Sequence, residues 1–556
     1  MTLNLLDDIG NWNSQLFREL KGRLKLGNVA IASALSICGQ LLLFLSFRAQ
    51  IPAAPPAGQY NYPIYSRFCT EADSRAYAAK CVKDAVGNFA VNWQYWWMEL
   101  FVYLSVFSAI VLLVAGTYML VSDLDKEERR GTLNFIRLSP QSASTIFVGK
   151  ILGVPILLYL AGIIAVPLHL YSGLTAQIPL LYILCFYVAI AISCALFYSA
   201  AMLFGLTTSW LGGFQAWLAS AAVLFFITVA FNMPSQNNAA DLITFLSPAA
   251  VLKLSVDRLI DNNNSELNWL VRGFDNVQWF GLPAGRTQAL CTGLSFLFGA
   301  IGTYWMWQGW QRRFPNPSAT VLSKRLSYLL TISSQPLIVG FAIQSNISGD
   351  TNIRFLSALN LVLFLGLIAA LTPERQALYD WARYRKQLPA VRSYRRYPIL
   401  DLIWSEKSPA EVAIALNLLV SLLMLAPWMS VLDLGVFAIV SINFILIYAT
   451  VTQLFLFSKN RNQATWAVCT VGGTILLPPM VLSMLSLHTD KAPLIWLLSV
   501  FPTFGSWEAL NSAPETATSI FLPVLGQWIV LVLLNFKLMR QLRIAGESAT
   551  KALLKA

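Results

Sequence analysis

Twelve runs of about 20 mainly apolar residues organise this chain, and that is the length an α-helix needs to cross a bilayer. They lie at 26–47, 99–122, 147–170, 178–206, 213–231, 288–308, 326–345, 354–372, 410–430, 435–457, 464–486 and 519–539. The expected fold class is an all-α polytopic membrane protein with about 12 transmembrane helices. The run at 326–345 is the least apolar, since it holds Ser333, Ser334, Gln335 and Pro336. A polar helix packed inside a bundle, or a broken one, has that composition. Charged residues make up 12% of the 556, against about 25% in soluble domains. The 18 Trp and 33 Phe fit a lipid-facing surface with interfacial aromatics. Basic residues near the start, followed by an apolar run, mimic a signal peptide. The 26–47 run exceeds the 7–15 residues of such a region and reads as a retained first span.

Basic residues orient the chain. With both ends on the cytoplasmic side, 28 of the 39 Lys and Arg fall in inner segments and 11 in outer ones, as the positive-inside rule requires. The net charge of +12 is thus a topology signal, and no nucleic acid partner is expected. The organisation that follows is a cytoplasmic interfacial segment (1–25), a first six-helix half (26–310) with outer loops 48–98 and 232–287, a cytoplasmic linker (311–325), a second six-helix half (326–540) and a cytoplasmic tail (541–556). The two halves share a pattern of loop lengths. Each has a charged inner segment after its second span and a long outer loop after its fifth. Those outer loops carry the apolar, proline-containing stretches 242–254 and 494–504. Six spans per half make the repeat parallel, about an axis along the membrane normal. A different register is open, because GNVAIASAL (27–35) also resembles AEVAIALNL (410–418).

Metal chemistry has few ligands to work with. Only two His are present, His169 and His488, with seven Cys and no CxxC, so no metal site is expected. Cys69 and Cys81 share the long polar outer loop, 12 residues apart. A disulfide is expected there, since an oxidising compartment preserves one; the alternative is two free thiols. His169 reads as a locally hydrogen-bonded residue, and Glu99 sits at the outer rim of span 2.

Two inner segments stand out. In 12–25, Trp12, Leu16, Phe17, Leu20 and Leu24 fall at helical spacing, with Arg18, Lys21, Arg23 and Lys25 on the other face. This is an amphipathic helix on the inner surface, serving as an anchor or also as a partner contact. In 123–150, a charged run continues span 2 to Gly131, Ser139-Pro140 marks a turn, and Ser142 or Ser144 can cap the next helix. Taken alone, the segment reads as a solvated loop; a projecting helix pair for a partner is the alternative. In that alternative Glu127, Glu128, Arg129 and Arg130 face water, and Leu133, Phe135 and Ile136 fill a partner's pocket.

The stretch EERRGTLNFIRLSPQSASTIFVGK (127–150) resembles the signature loop of permeases of the type-2 ABC export class. It carries the acidic-basic cluster Glu127, Glu128, Arg129 and Arg130, the Gly131-Thr132-Leu133 run, the Leu138-Ser139-Pro140 turn, and Gly149-Lys150. FRELKGRLK (17–25) is similar to the interfacial helix of that family, and the outer loop after span 5 to its re-entrant region. The likeness covers 12–310. In the second half Glu374, Arg375, Leu378, Glu406, Ser408 and Pro409 look like a diverged counterpart. Gly-Thr-Leu is missing there, and a basic insert from Arg383 to Arg396 intervenes.

The resemblance implies the membrane subunit of an exporter in a bacterial plasma (inner) membrane, with separate ABC ATPase subunits docked on the 123–150 loop. The chain has no GxxxxGK[ST] of its own. It is therefore expected not to be an enzyme, and ATP would sit on a partner subunit. The working unit would be one chain or two copies. A twelve-span secondary carrier is the first rival reading, although carriers usually need intramembrane ionisable groups. A non-transporting scaffold is the second. Topology is checked by Ser139→Cys in intact cells: an impermeant maleimide should label it only after permeabilisation, and labelling from outside would reverse the assignment.

Overall fold

The structure is a computed structural model and describes residues 8–52, 65–70, 80–83, 88–257, 259, 267–343, 349–387, 398–428, 435–460, 462–505, 508–509 and 517–546. Parts of the expected outer loops, most of the basic insert and most of the tail lie outside these residues. The described residues are helical, with isolated bridges in place of strands. Eleven helices are long and apolar enough to cross a membrane, so the chain is an all-α, multi-pass membrane protein. The chain divides into two compact units, one of 1–236 with 241–310 and one of 237–240 with 311–556.

The first unit opens with α1 (Ser14–Arg23) and α2 (Leu26–Ala49). Next comes α3 (Trp93–Arg129), 37 residues long. At 1.5 Å per residue it spans about 55 Å, well beyond the roughly 30 Å of a hydrocarbon core. There follow α4 (Thr132–Arg137), α5 (Ala143–Gly153), α6 (Ile156–Thr175), α7 (Leu180–Thr207) and α8 (Phe214–Asn232). Short helices α9 (Asp241–Phe245), α10 (Ala249–Asp257) and α11 (Asn268–Val271) precede α12 (Gln288–Arg313). The expected single span at 147–170 is two helices, α5 and α6. Pro155 has no N–H to carry the helix on, and the break frees α5 to pack on α1, while α2 runs along α6.

Inside α3, Val111–Ala115 forms a π-turn, which disturbs the regular carbonyl pairing. The Tyr198 hydroxyl donates to the Leu112 carbonyl at 2.6 Å. Gly116 makes room for it, since a Cβ there would lie 2.1 Å from the Tyr198 oxygen. Towards its start α3 carries Trp93, Trp96 and Trp97, and Trp96 Nε1 donates to the Phe47 carbonyl at 3.1 Å. Cys69 and Cys81 are joined by a disulfide, with Cα atoms 4.9 Å apart. Arg67 lies 3.5 Å from buried Glu99.

The second unit contains α13 (Lys324–Ala342), α14 (Gly349–Leu371), α15 (Arg375–Gln387), α16 (Pro398–Trp404), α17 (Glu411–Leu425), α18 (Gly435–Phe457), α19 (Gln463–Met484), α20 (Pro493–Ser499) and α21 (Ala517–Ala545). The twelfth expected span is α13, a helix of 19 residues that falls outside the eleven apolar ones. Three of its polar residues, Ser327, Thr331 and Gln335, are buried and paired. Thr331 Oγ1 donates to Asn417 Oδ1 at 2.7 Å, Asn417 Nδ2 to Ser327 Oγ at 3.0 Å, and Gln335 Nε2 to Asn360 Oδ1 at 2.7 Å. Such pairing lets a polar helix sit among apolar neighbours. A second polar set holds α20 in place: Asn443 Nδ2 donates to Gln527 Oε1 at 2.9 Å, and Gln527 Nε2 donates to the Leu497 carbonyl at 2.9 Å.

Candidate coupling site

Three helices of the first unit converge on one buried ammonium group. Lys150, on α5, has no exposed side-chain surface. Its Nζ lies 2.7 Å from Asp123 Oδ2, 2.7 Å from Glu127 Oε2 and 4.0 Å from Glu19 Oε1. Asp123 and Glu127 are one turn apart on α3, so both carboxylates face α5. Glu19 comes from α1. Arg23 closes the ring, donating to Asp123 Oδ1 at 2.7 Å and to Glu19 Oε2 at 3.1 Å. Arg18 donates to Glu127 Oε1 at 2.7 Å. Three carboxylates thus meet three cations.

The three carboxylates lie close enough to hold a metal ion, but Lys150 already supplies the compensating charge between them. Buried ions need this compensation, because desolvation otherwise exceeds the attraction. Removing one partner from such a cluster costs about 3–5 kcal/mol.

Glycines let α1 reach the cluster. A Cβ on Gly149 would lie 2.8 Å from Asn13 Oδ1, and one on Gly153 would lie 2.5 Å from Glu19 Cβ. These two form a small-xxx-small seam on α5. Asn13 caps α1, accepting from the Leu16 N–H at 2.9 Å, and its amide donates to the Thr145 carbonyl at 2.9 Å. The packed face of α1 is therefore Asn13, Gln15, Leu16, Glu19 and Leu20, all buried. The expected apolar stripe holds at Leu16 and Leu20 but not at Trp12, which is 65% exposed.

The turn below α3 is built as its residues suggest. Gly131 takes φ 72°, a left-handed conformation that suits glycine. Thr132 Oγ1 donates to the Glu127 carbonyl at 3.1 Å, and Ser139 Oγ to the Ile136 carbonyl at 2.7 Å. Ser142 caps α5, accepting from the Thr145 N–H at 3.1 Å.

Three expectations about which side chains face outward change. Leu133 and Ile136 are 1% and 5% exposed, so they bind α4 to its own unit and leave no face for a partner. Glu127 is held by Lys150 and Arg18 and is not a water-facing charge. The outward residues are Glu128, Arg129, Arg130, Phe135 and Leu138, with Phe135 78% and Leu138 86% exposed. Arg129 is also paired with Asp125 on its own helix.

Of the second-unit residues, Glu374 and Glu406 are half-exposed and the others lie further inward. Leu378 and Ser408 are fully buried. Glu406 accepts from Arg312 Nη1 at 3.0 Å, and Glu374 from Arg313 Nη2 at 3.0 Å. Arg375 stacks on Tyr379, 5.1 Å from the ring centroid. Buried Lys324 donates to the Leu402 carbonyl, Ser408 Oγ and the Pro409 carbonyl at 2.6, 2.6 and 2.9 Å. Burial pushes its ammonium down to about 8, opposed by Glu411 and Asp401.

Elsewhere in the first unit, the Ser105 hydroxyl donates to the Phe101 carbonyl at 2.7 Å, and its oxygen lies 2.8 Å from His169 Nε2. Tyr187 Oη lies 2.9 Å from His169 Nδ1. The Ser105 hydroxyl hydrogen is engaged by the Phe101 carbonyl, so its oxygen accepts from His169, which serves as a hydrogen-bonded tie between α3, α6 and α7. No protein-family model, curated protein or solved structure matches the chain.

The seam yields a direct test. Gly153→Leu should expel α1 from α5, and trypsin should then cut at Arg23 and Lys25 at least tenfold faster than in the wild type. An unchanged cleavage rate would show that α1 does not depend on the seam.

Proposed function

We propose that the chain is the transmembrane permease subunit of an ABC-type exporter, moving its substrate out of the cytoplasm or inner leaflet. Separate ATPase subunits would bind below the first unit and supply the energy. The observation that carries this reading is the Lys150-centred cluster. A subunit that converts a partner's closure into motion of spans needs a contact that does not give way locally. Here α1, the end of α3 and α5 are cross-braced by ions and by a glycine seam, α4 packs on the end of α3 through Leu133 and Ile136, and α3 continues from this end through the apolar layer. The outermost side chains, Phe135 and Leu138 flanked by Glu128 and Arg130, have the make-up of an interface anchor, apolar at the centre and charged at the rim. The sequence resemblance of 127–150 to the signature loop of type-2 ABC permeases points the same way.

In this reading the second unit is a second six-helix half. There Ser408 is buried, Arg375 stacks on Tyr379, and Glu374 and Glu406 pair with Arg313 and Arg312 at half-exposed positions, so docking there would differ from docking on the first unit.

The test is purification of the full chain from its native membrane in mild detergent. A polypeptide carrying GxxxxGK[ST] should accompany it in stoichiometric amount. Phe135→Ala with Leu138→Ala should weaken that association by about 2–4 kcal/mol, the range of truncated interface anchors, with insertion unchanged. Wild-type association and transport in the inserted variant, or the absence of an ATP-binding companion, would overturn the proposal.

A further inference from the structure

In the second unit, α15 and the end of α21 pack through Leu378, Trp381, Leu538 and Leu542. Beside this seam lies an open cleft of about 550 Å³. Three of its lining residues are Arg385, Arg540 and Arg543, and no carboxylate lines it among the described residues. Arg385 lies 5.0 Å from the Trp381 ring centroid, which steadies its guanidinium. The remaining wall is apolar and includes Phe536 and Met539, which are 70% and 64% exposed. On α21 these follow Val532 and Leu533, also outward-facing, so the apolar wall continues the helix's lipid-facing stripe. Arg540 and Arg543 come about 6 and 10 Å further along the helix axis than Phe536, at 1.5 Å per residue. That is the step from acyl chains to headgroups.

We propose that this cleft binds the phosphodiester headgroup of an anionic phospholipid, with its acyl chains lying along the outward face of α21. The three guanidinium groups suit phosphate oxygens, which arginine recognises in a two-pronged geometry. A net positive cleft selects an anionic headgroup over a zwitterionic one. Basic pockets beside membrane helices on the cytoplasmic side hold lipid headgroups by this chemistry. The inference needs only the inner-face assignment of 373–409 and 537–556 and is independent of the exporter reading.

The test is native mass spectrometry of the delipidated full chain, titrated in turn with phosphatidylglycerol, phosphatidylcholine and inorganic phosphate. Wild type should retain phosphatidylglycerol in preference to phosphatidylcholine. Arg385→Gln, Arg540→Gln and Arg543→Gln together should weaken that binding roughly a hundredfold, since each basic side chain at an anionic membrane surface contributes about fivefold. Melting in detergent checks that the variant is folded. If it is not, the single Arg543→Gln should still show the roughly fivefold loss. Lys459→Gln, outside the cleft, should leave binding unchanged. Equal retention by wild type and the cleft variants would overturn the proposal. Displacement of the lipid by millimolar inorganic phosphate, or loss of headgroup preference, would assign the cleft to a soluble anion and overturn it as well.

Discussion

The buried ammonium of Lys150 is the point on which one end of the first unit depends, the end where α1, the last turns of α3 and α5 meet. A lysine with no exposed surface cannot stay charged without partners, and its partners come from three directions. Asp123 and Glu127 bring the end of α3, and Glu19 brings α1. Lys150 itself brings α5, which leads through the break at Pro155 into α6. One desolvated charge therefore gathers an interfacial helix, a long helix that crosses the membrane, and the start of the next span. The geometry is demanding because the carboxylates must converge on a single atom, and the Gly149–Gly153 seam provides the close approach.

The second unit solves a similar problem with different chemistry. Lys324 is also buried, but it donates to two backbone carbonyls and a serine hydroxyl. Neutral acceptors offset less of the desolvation than carboxylates do, which is why burial wins and the group is pushed down to about 8. The lysine holds the Ser408-Pro409 turn to α13 locally. Arg312 and Arg313 meet Glu406 and Glu374 at more exposed positions, where ion pairs contribute little.

Much of the membrane architecture was legible in the sequence, because hydropathy reports directly on which solvent a helix faces. The run at 435–457 coincides with α18, and 288–308 sits within α12. The exceptions have physical causes. Residues 147–170 look continuous to hydropathy, yet Pro155 divides them. α13 looks weak because its polar residues are answered by Asn417 and Asn360, and those partners lie far away in sequence. The site was legible in outline and misread in detail. Gly131 and Ser139-Pro140 mark their turns correctly, since turn chemistry is local. Burial within 127–136 was not legible. Glu127 resembles its neighbours Glu128 and Arg129 in sequence, and only the distant Lys150 and Arg18 decide that it points inward. Glu19 went unremarked in the sequence for the same reason, since its partner Lys150 is also distant. The signals that could have found them were the Asp123–Glu127 and Glu19–Arg23 spacings of four and the Gly149-x-x-x-Gly153 seam.

Hydrogen exchange in the Lys150→Met variant tests the central claim most directly. If the ammonium holds the three helices together, amides of 14–23 and 123–129 should exchange faster than in the wild type and by similar factors. Amides of α8, which lies outside the cluster, should not change. Exchange in 14–23 that stays at the wild-type rate, or acceleration confined to α5, would contradict the account.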